Sequence, residues 1–114
     1  MPLLRKAKKV RRSRRAEALA LLGLAQRAGA VVKGTEATRQ ALRRREAKLV
    51  LVAEDGSETQ RKKILPLVRA QEVPLETLGG QNELGAALGC GPLTVVAVTR
   101  SGFSRQLRER LGRD

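Results

Sequence analysis

The chain has 114 residues, with 24 Lys and Arg against 11 Asp and Glu, no histidine and a net charge of +13. That balance points to a polyanionic partner, nucleic acid ahead of an anionic membrane surface. Phe103 is the single aromatic residue, which argues against modules that stack bases on exposed rings: an RNP-type sheet, an oligonucleotide-binding barrel or a cold-shock barrel. One cysteine, Cys90, and no histidine leave no internal disulfide and no zinc site of ordinary composition, and fit a reduced, intracellular setting.

At this length the expected organisation is one domain that buries roughly two-thirds of its unfolded surface. The charge is unevenly spread along it. Residues 1–15 hold eight of the 24 bases and no acid, so 16 bases stand against 11 acids, or +5, from Ala16 onward. Residues 1–15 therefore read as a basic, flexible N-terminal arm of the kind that supplies non-specific phosphate contacts, and residues 16–114 as the folded domain.

Ala18, Leu19, Leu22 and Ala25 form one stripe of a helix from about Ala16 to Ala28, with Gly29 as its stop signal. A basic start before Ala18 to Ala25 has the outline of a signal peptide, but Glu17 interrupts the boundary and Gln26-Arg27 ends the run early. No apolar run approaches the ~20 residues a membrane-spanning helix needs. Val31-Val32-Lys33 is a first strand. Glu36 to Arg45 is a second helix, with Ala37, Ala41 and Leu42 turned inward and Arg39, Gln40, Arg43 and Arg44 around the rest.

Leu49 to Ala53 is continuously apolar and too short for a helix, which is how a strand buried on both faces reads. Ser57 and Gln60 form a capping box for a helix to about Gln71, which Pro66 should kink or break. Val73 to Thr77 is a short strand and Gln81 to Leu88 a short helix starting near Gln81 or Asn82. Gly89 to Leu93 is a tight loop, Thr94 to Thr99 a second buried strand, and Gly102 to Leu111 a closing helix. This alternation of helices and strands predicts a three-layer α/β/α sandwich.

The candidate site lies where the first strand turns into the second helix. Gly34 followed by the hydroxyl of Thr35 should leave backbone N–H groups aimed outward, and a helix N-terminus receives phosphate or a base-edge acceptor. Lys33, Arg39 and Arg43 surround it with positive charge, the last two on one side at i, i+4. Glu36 is a favourable acid in a first turn, or an acceptor for guanine or cytosine donors.

The sequence resembles the kink-turn RNA-binding ribosomal proteins of the L7Ae/L30e family, in particular their small bacterial YlxQ-like branch. The resemblance rests on Leu22-Gly23-Leu24-Ala25-Gln26-Arg27-Ala28-Gly29, the Lys33-Gly34 turn into a basic helix, Ala47 to Asp55, Leu65-Pro66-Leu67, Val73-Pro74, Leu84-Gly85, and Val95 to Val98 followed by Gly102-Phe103. It spans about Leu19 to Leu107. It implies binding of a sharply bent RNA duplex, whose tandem sheared G·A pairs are read by the start of the second helix and clasped by the loop before the last strand, here Gly89, Cys90, Gly91, Pro92 and Leu93. In better-studied members the helix begins Gly-x-Asn-Glu with a Lys three residues after the Glu. Here an ungapped alignment puts Glu36, Ala37 and Gln40 in the Asn, Glu and Lys positions. A one-residue shift instead pairs Glu36 with Arg39. The loop also lacks the Arg that some relatives place before Pro.

Glu54-Asp55 follows a buried strand, a usual place for a site in an α/β sheet. The plainer reading is that Asp55 and Ser57 end the strand and cap the next helix. Cys90 reads as a small packed residue, with nothing near it in sequence to activate it. The expectation is a four-stranded mixed sheet carrying a non-catalytic, monomeric, cytoplasmic protein that binds structured RNA, ribosomal or other, without metal or cofactor. Its rival is a small nucleotide-dependent enzyme or enzyme subunit, resting on the α/β layering and Glu54-Asp55 but lacking histidine, an activated cysteine and a phosphate loop.

Overall fold

A computed structural model describes the backbone over residues 2–112 and side chains over residues 14–112. Nine elements alternate: α1 Pro2–Arg27, β1 Val31–Lys33, α2 Thr35–Arg43, β2 Leu49–Val52, α3 Glu58–Ala70, β3 Leu75–Thr77, α4 Gln81–Ala87, β4 Val95–Val98 and α5 Ser101–Leu111. The strands lie in the order β1-β4-β2-β3, with β4 antiparallel to both β1 and β2 and β3 parallel to β2, so the sheet is mixed as expected. No helix among the described residues is long and apolar enough to cross a membrane.

The two apolar runs are buried along their whole length because the sheet has a helical layer on each face. Leu49, Leu51, Val96 and Val98 point to one side, where Leu22 of α1, Leu84 of α4 and Leu107 of α5 meet them. Val50, Val52, Val95 and Ala97 point to the other and pack on Ala41 and Leu42 of α2 and Ile64 and Val68 of α3. Each fully buried Leu, Ile or Val contributes about 1.5–3 kcal/mol, against roughly 0–1 kcal/mol for an exposed ion pair such as Arg110 with Glu17 at 3.9 Å. The sandwich is held by its two apolar layers.

Helices α1 to α4 end alike. In α1 the N–H of Gly29 donates to the carbonyl of Gln26 and that of Ala30 to Ala25. The same paired bonds close α2 through Arg45 and Glu46, α3 through Glu72 and Val73, and α4 through Gly89 and Cys90. This Schellman pattern needs a residue in the left-handed region after the helix. Gly29 and Gly89 supply it at φ 74° and 70°, whereas Arg45 and Glu72 adopt it with side chains at 59° and 54°.

Several boundaries differ from expectation. The arm drawn over residues 1–15 lies outside the residues whose side chains are described, except for Arg14 and Arg15, which belong to α1. Arg15 is tied to the sandwich by Glu54 at 3.0 Å and Glu83 at 3.6 Å, so the helix does not start at Ala16. Thr38 replaces Ala37 on the buried stripe of α2. Pro66 does not break α3, since it is exposed and its absent N–H deprives only the carbonyl of Lys62, itself on an exposed residue. Ser57 caps α3 as expected, its hydroxyl accepting from Gln60 N–H at 3.3 Å. Helix α4 has Gly80 as its N-cap.

Candidate nucleic-acid interface

Gly34 is the hinge of the site. It is the N-cap of α2 with φ 94° and ψ 165°, a conformation essentially confined to glycine. A Cβ there would meet no atom, so the demand is made by the backbone angle and not by space. Its N–H donates to the carbonyl of Val95 at 2.9 Å, one residue beyond the Lys33–Val96 pairing of β1 with β4. The start of α2 is thereby stitched to the start of β4, directly after the Gly89 to Leu93 loop. These two stretches, distant in sequence, share one end of the sheet.

Thr35 was expected to cap this helix, but it is the first helical residue, and no side chain caps the Gly34 position. A helix leaves its first N–H groups without intrahelical acceptors, and those of Thr35, Glu36 and Ala37 find none elsewhere among the described residues. The positive end of the helix dipole reinforces them. Lys33 and Gln40 are exposed near this turn and Arg43 is exposed in the last turn of α2, beside Arg44, while Arg39 is not a free cation. Its Nη1 lies 3.2 Å from a carboxylate oxygen of Glu36, its side chain is 28% exposed against 73% for Glu36, and its Nε is buried without a partner. The acid–base spacing produced by one of the two alignments of α2 is thus an i, i+3 ion pair.

The loop is built on α4. Gly89 ends the helix in the left-handed region, and Cys90 donates from its N–H to the carbonyl of Gly85 at 2.9 Å. Cys90 was expected to be packed and is exposed, as are Gly89, Gly91 and Pro92, because the loop folds back over α4 with its backbone and not its side chains against the helix. Leu93 is partly buried against the core. A Cβ on Gly85 would stand 2.1 Å from the Gly91 carbonyl oxygen and 2.9 Å from that of Cys90. Gly85 is therefore the seat of the loop. The Leu84-Gly85 pair was visible in the sequence, but nothing local could show what lay above it.

Asp55 corrects a second expectation. Its Oδ1 accepts from the N–H of Gln81 at 2.8 Å, so it caps α4 rather than α3, in place of the side chain that Gly80 lacks. Gln81 Nε2 returns a bond to the Asp55 carbonyl at 2.9 Å, and Gln81 Oε1 accepts from the Thr94 hydroxyl at 3.2 Å. Leu93 N–H donates to the Gln81 carbonyl at 3.1 Å. The C-terminal end of the loop is thus moored to this polar cluster, while its start is held by the backbone closure of α4. Glu54 and Asp55 are engaged in structure, the first with Arg15 and the second as a cap. A groove of about 660 Å³ between α1 and α4 is lined mainly by apolar residues such as Leu19 and Leu24, with Arg27 and Glu83 as its charged members, and it brings no nucleophile.

Known proteins match this chain along most of its length. A Bacillus subtilis (strain 168) protein called RNA-binding protein YlxQ is 39% identical over 87 residues, covering 76% of this chain and 87% of the relative. An Enterococcus faecium protein of the same name is 36% identical over 95 residues, covering 83% and 91%. Among solved structures, a Bacillus halodurans C protein of unknown function superposes with a TM-score of 0.80 at 32% identity, over 85% of this chain and 98% of that one. The Giardia lamblia 15.5kD RNA binding protein shares the fold, with a TM-score of 0.72 at 23% identity, over 88% of this chain and 86% of its own. The sequence profile of one family matches residues 16–108, and the chain belongs to it: the Ribosomal protein L7Ae/L30e/S12e/Gadd45 family.

Proposed function

We propose that this protein is a non-catalytic, monomeric RNA-binding protein of the cytoplasm. Its 16–114 domain docks a bent, kink-turn-like RNA against the start of α2 and the Gly89 to Leu93 loop, and its basic residues 1–15 add phosphate contacts. The ribosome or another ribonucleoprotein is its setting. The observation that carries this reading is the Gly34 N–H to Val95 carbonyl bond, which puts an uncapped, dipole-positive helix end beside the loop. Family membership and two relatives named as RNA-binding proteins support it. The engagement of Glu54 in an ion pair and of Asp55 as a helix cap supports this reading over the enzyme one, which leaned on these two carboxylates together with the α/β layering.

Within this reading Lys33, Gly34, Thr35 and Gln40 present donors, Arg43 supplies phosphate contact, and the loop backbone closes over the bend. Arg39 must exchange Glu36 for a phosphate, or else Glu36 itself accepts from a base donor. Glu36→Gln separates the two: it releases Arg39 and tightens binding in the first case, and weakens it in the second.

The test is an anisotropy titration with a kink-turn RNA and with the same RNA whose G·A pairs are replaced by Watson–Crick pairs. A preference of tenfold or more for the kinked RNA, about 1.4 kcal/mol, is expected. Gly85→Ala, which must displace the loop, should reduce that preference while leaving the apolar layers intact. Equal affinity for the two RNAs would overturn the proposal.

A further inference from the structure

The opposite end of the sheet carries a second cationic surface. Strands β2 and β4 are antiparallel, so β2 begins where β4 ends: Lys48 N–H donates to the Val98 carbonyl at 2.8 Å. Helix α2 delivers Arg44 and Arg45 to this end through its C-terminal closure, and the β4–α5 corner delivers Arg100. The corner is locked to the start of β2 by the Ser104 hydroxyl, which donates to the Lys48 carbonyl at 3.1 Å. Arg44, Arg45, Lys48 and Arg100 are all exposed, and among the described residues none has an ion-pair partner. Glu46 and Glu72 are the acids on the neighbouring turns, both exposed and neither engaged with these cations. Arg15, Arg39 and Arg110 are each paired with a glutamate, whereas these four share with Lys33, Arg43 and the cations of α3 the lack of an ion-pair partner among the described residues; what distinguishes them is that Arg44, Arg45, Lys48 and Arg100 come together at one end of the sheet.

Arg45 adds a second indication. It occupies a left-handed position that glycine fills in α1 and α4, so a cation stands where glycine would be the cheaper residue. Glu72 occupies the equivalent position after α3, so the backbone itself does not select for arginine. Charge is what distinguishes the two sites.

We infer that Arg44, Arg45, Lys48 and Arg100 form a second RNA surface that holds the phosphate backbone of a helical segment at the end of α2 remote from the first site. The partner follows from the chemistry. Cations from two chain segments, the α2–β2 connection and the β4–α5 corner, with no aromatic ring among them, suit a repeating phosphate backbone and give no readout of base identity. Nine helical residues at about 1.5 Å each separate the ends of α2 by roughly 13 Å, so two RNA segments, or the two arms of one bent RNA, can be held at once. This inference rests on the RNA-binding reading for its partner but not on kink-turn preference.

The test uses the full chain, a plain 16-base-pair RNA duplex and the kink-turn RNA, titrated by anisotropy across a salt series. A variant carrying Arg44→Gln, Lys48→Gln and Arg100→Gln should lower the salt slope for the plain duplex by two to three units, since each neutralised phosphate is worth about 0.9. Arg45→Gly should lower it by about one unit while raising the melting temperature, a combination that a purely structural role for Arg45 does not produce. Unchanged slopes in both variants would overturn the inference, as would competition at this surface by poly-glutamate but not by duplex. A reduced slope with no kinked-RNA preference leaves the second surface standing and removes the first reading, whereas retained preference with unchanged slopes does the reverse.

Discussion

Thr38 is fully buried in α2 and its hydroxyl is without a partner among the described residues. Burying an unpaired hydroxyl costs about 1–3 kcal/mol, while replacing it with an apolar group of the same shape removes that cost. Thr38→Val should therefore stabilise the protein by about 1 kcal/mol in urea denaturation; a loss of stability would mean that the hydroxyl has a partner in solution. The same residue shows where reading a helix by its pattern stops. Thr38 looks polar and Ala37 apolar, yet the rotation of α2, set by where Gly34 lets the helix begin, buries the first and leaves the second only partly covered. Arg39 makes the same point in charge. It looks like a phosphate ligand in the sequence and is an ion-pair partner in the folded chain.

At the level of elements, the helix ends carry most of the local information. Glu72 is in the left-handed region at φ 54°, which costs a residue with a Cβ roughly 1–2 kcal/mol, partly offset by the entropy a glycine would lose on folding. Glu72→Gly should raise stability by about 0.5–1 kcal/mol, a few degrees in melting temperature. A fall would show that Glu72 contributes interactions beyond the turn. The glycines at 29 and 89 were readable as stops because glycine advertises this conformation, whereas Arg45 and Glu72 gave no such sign. The cap on α4 was also unreadable. Its carboxylate, Asp55, comes from 26 residues earlier in the chain, and no local spacing rule reaches that far.

For the whole molecule, charge is the property that matters most to the proposed function. Residues 1–13 hold six of the 24 Lys and Arg, and the folded end opposite the first site holds a cluster without ion-pair partners among the described residues. Cations that meet phosphate in this way raise affinity without selecting sequence. Replacing the six N-terminal bases by Gln should lower the salt slope by up to about 0.9 for each phosphate they neutralise and leave the preference for kinked over straight RNA unchanged. If the preference fell with the slope, the N-terminal residues would be reading the bend and the site at Gly34 would not be sufficient.

From Ala16 onward the amino-acid order by itself determined which stretches became strands and helices, because burial on both faces demands the unbroken runs Leu49 to Ala53 and Val95 to Val98, and burial on one face demands stripes such as Ala18, Leu22 and Ala25. It also marked Gly34 and the Gly89 to Leu93 loop as unusual pieces of chain. Only the tertiary structure decided that β4 lies between β1 and β2, which brings that glycine and that loop to one end of the sheet and the cluster of four cations to the other. The physical reason is range. Hydrophobic period and turn chemistry act over a few neighbouring residues, whereas strand order, Asp55 on α4 and Gly85 beneath Gly91 depend on packing between segments far apart in the chain.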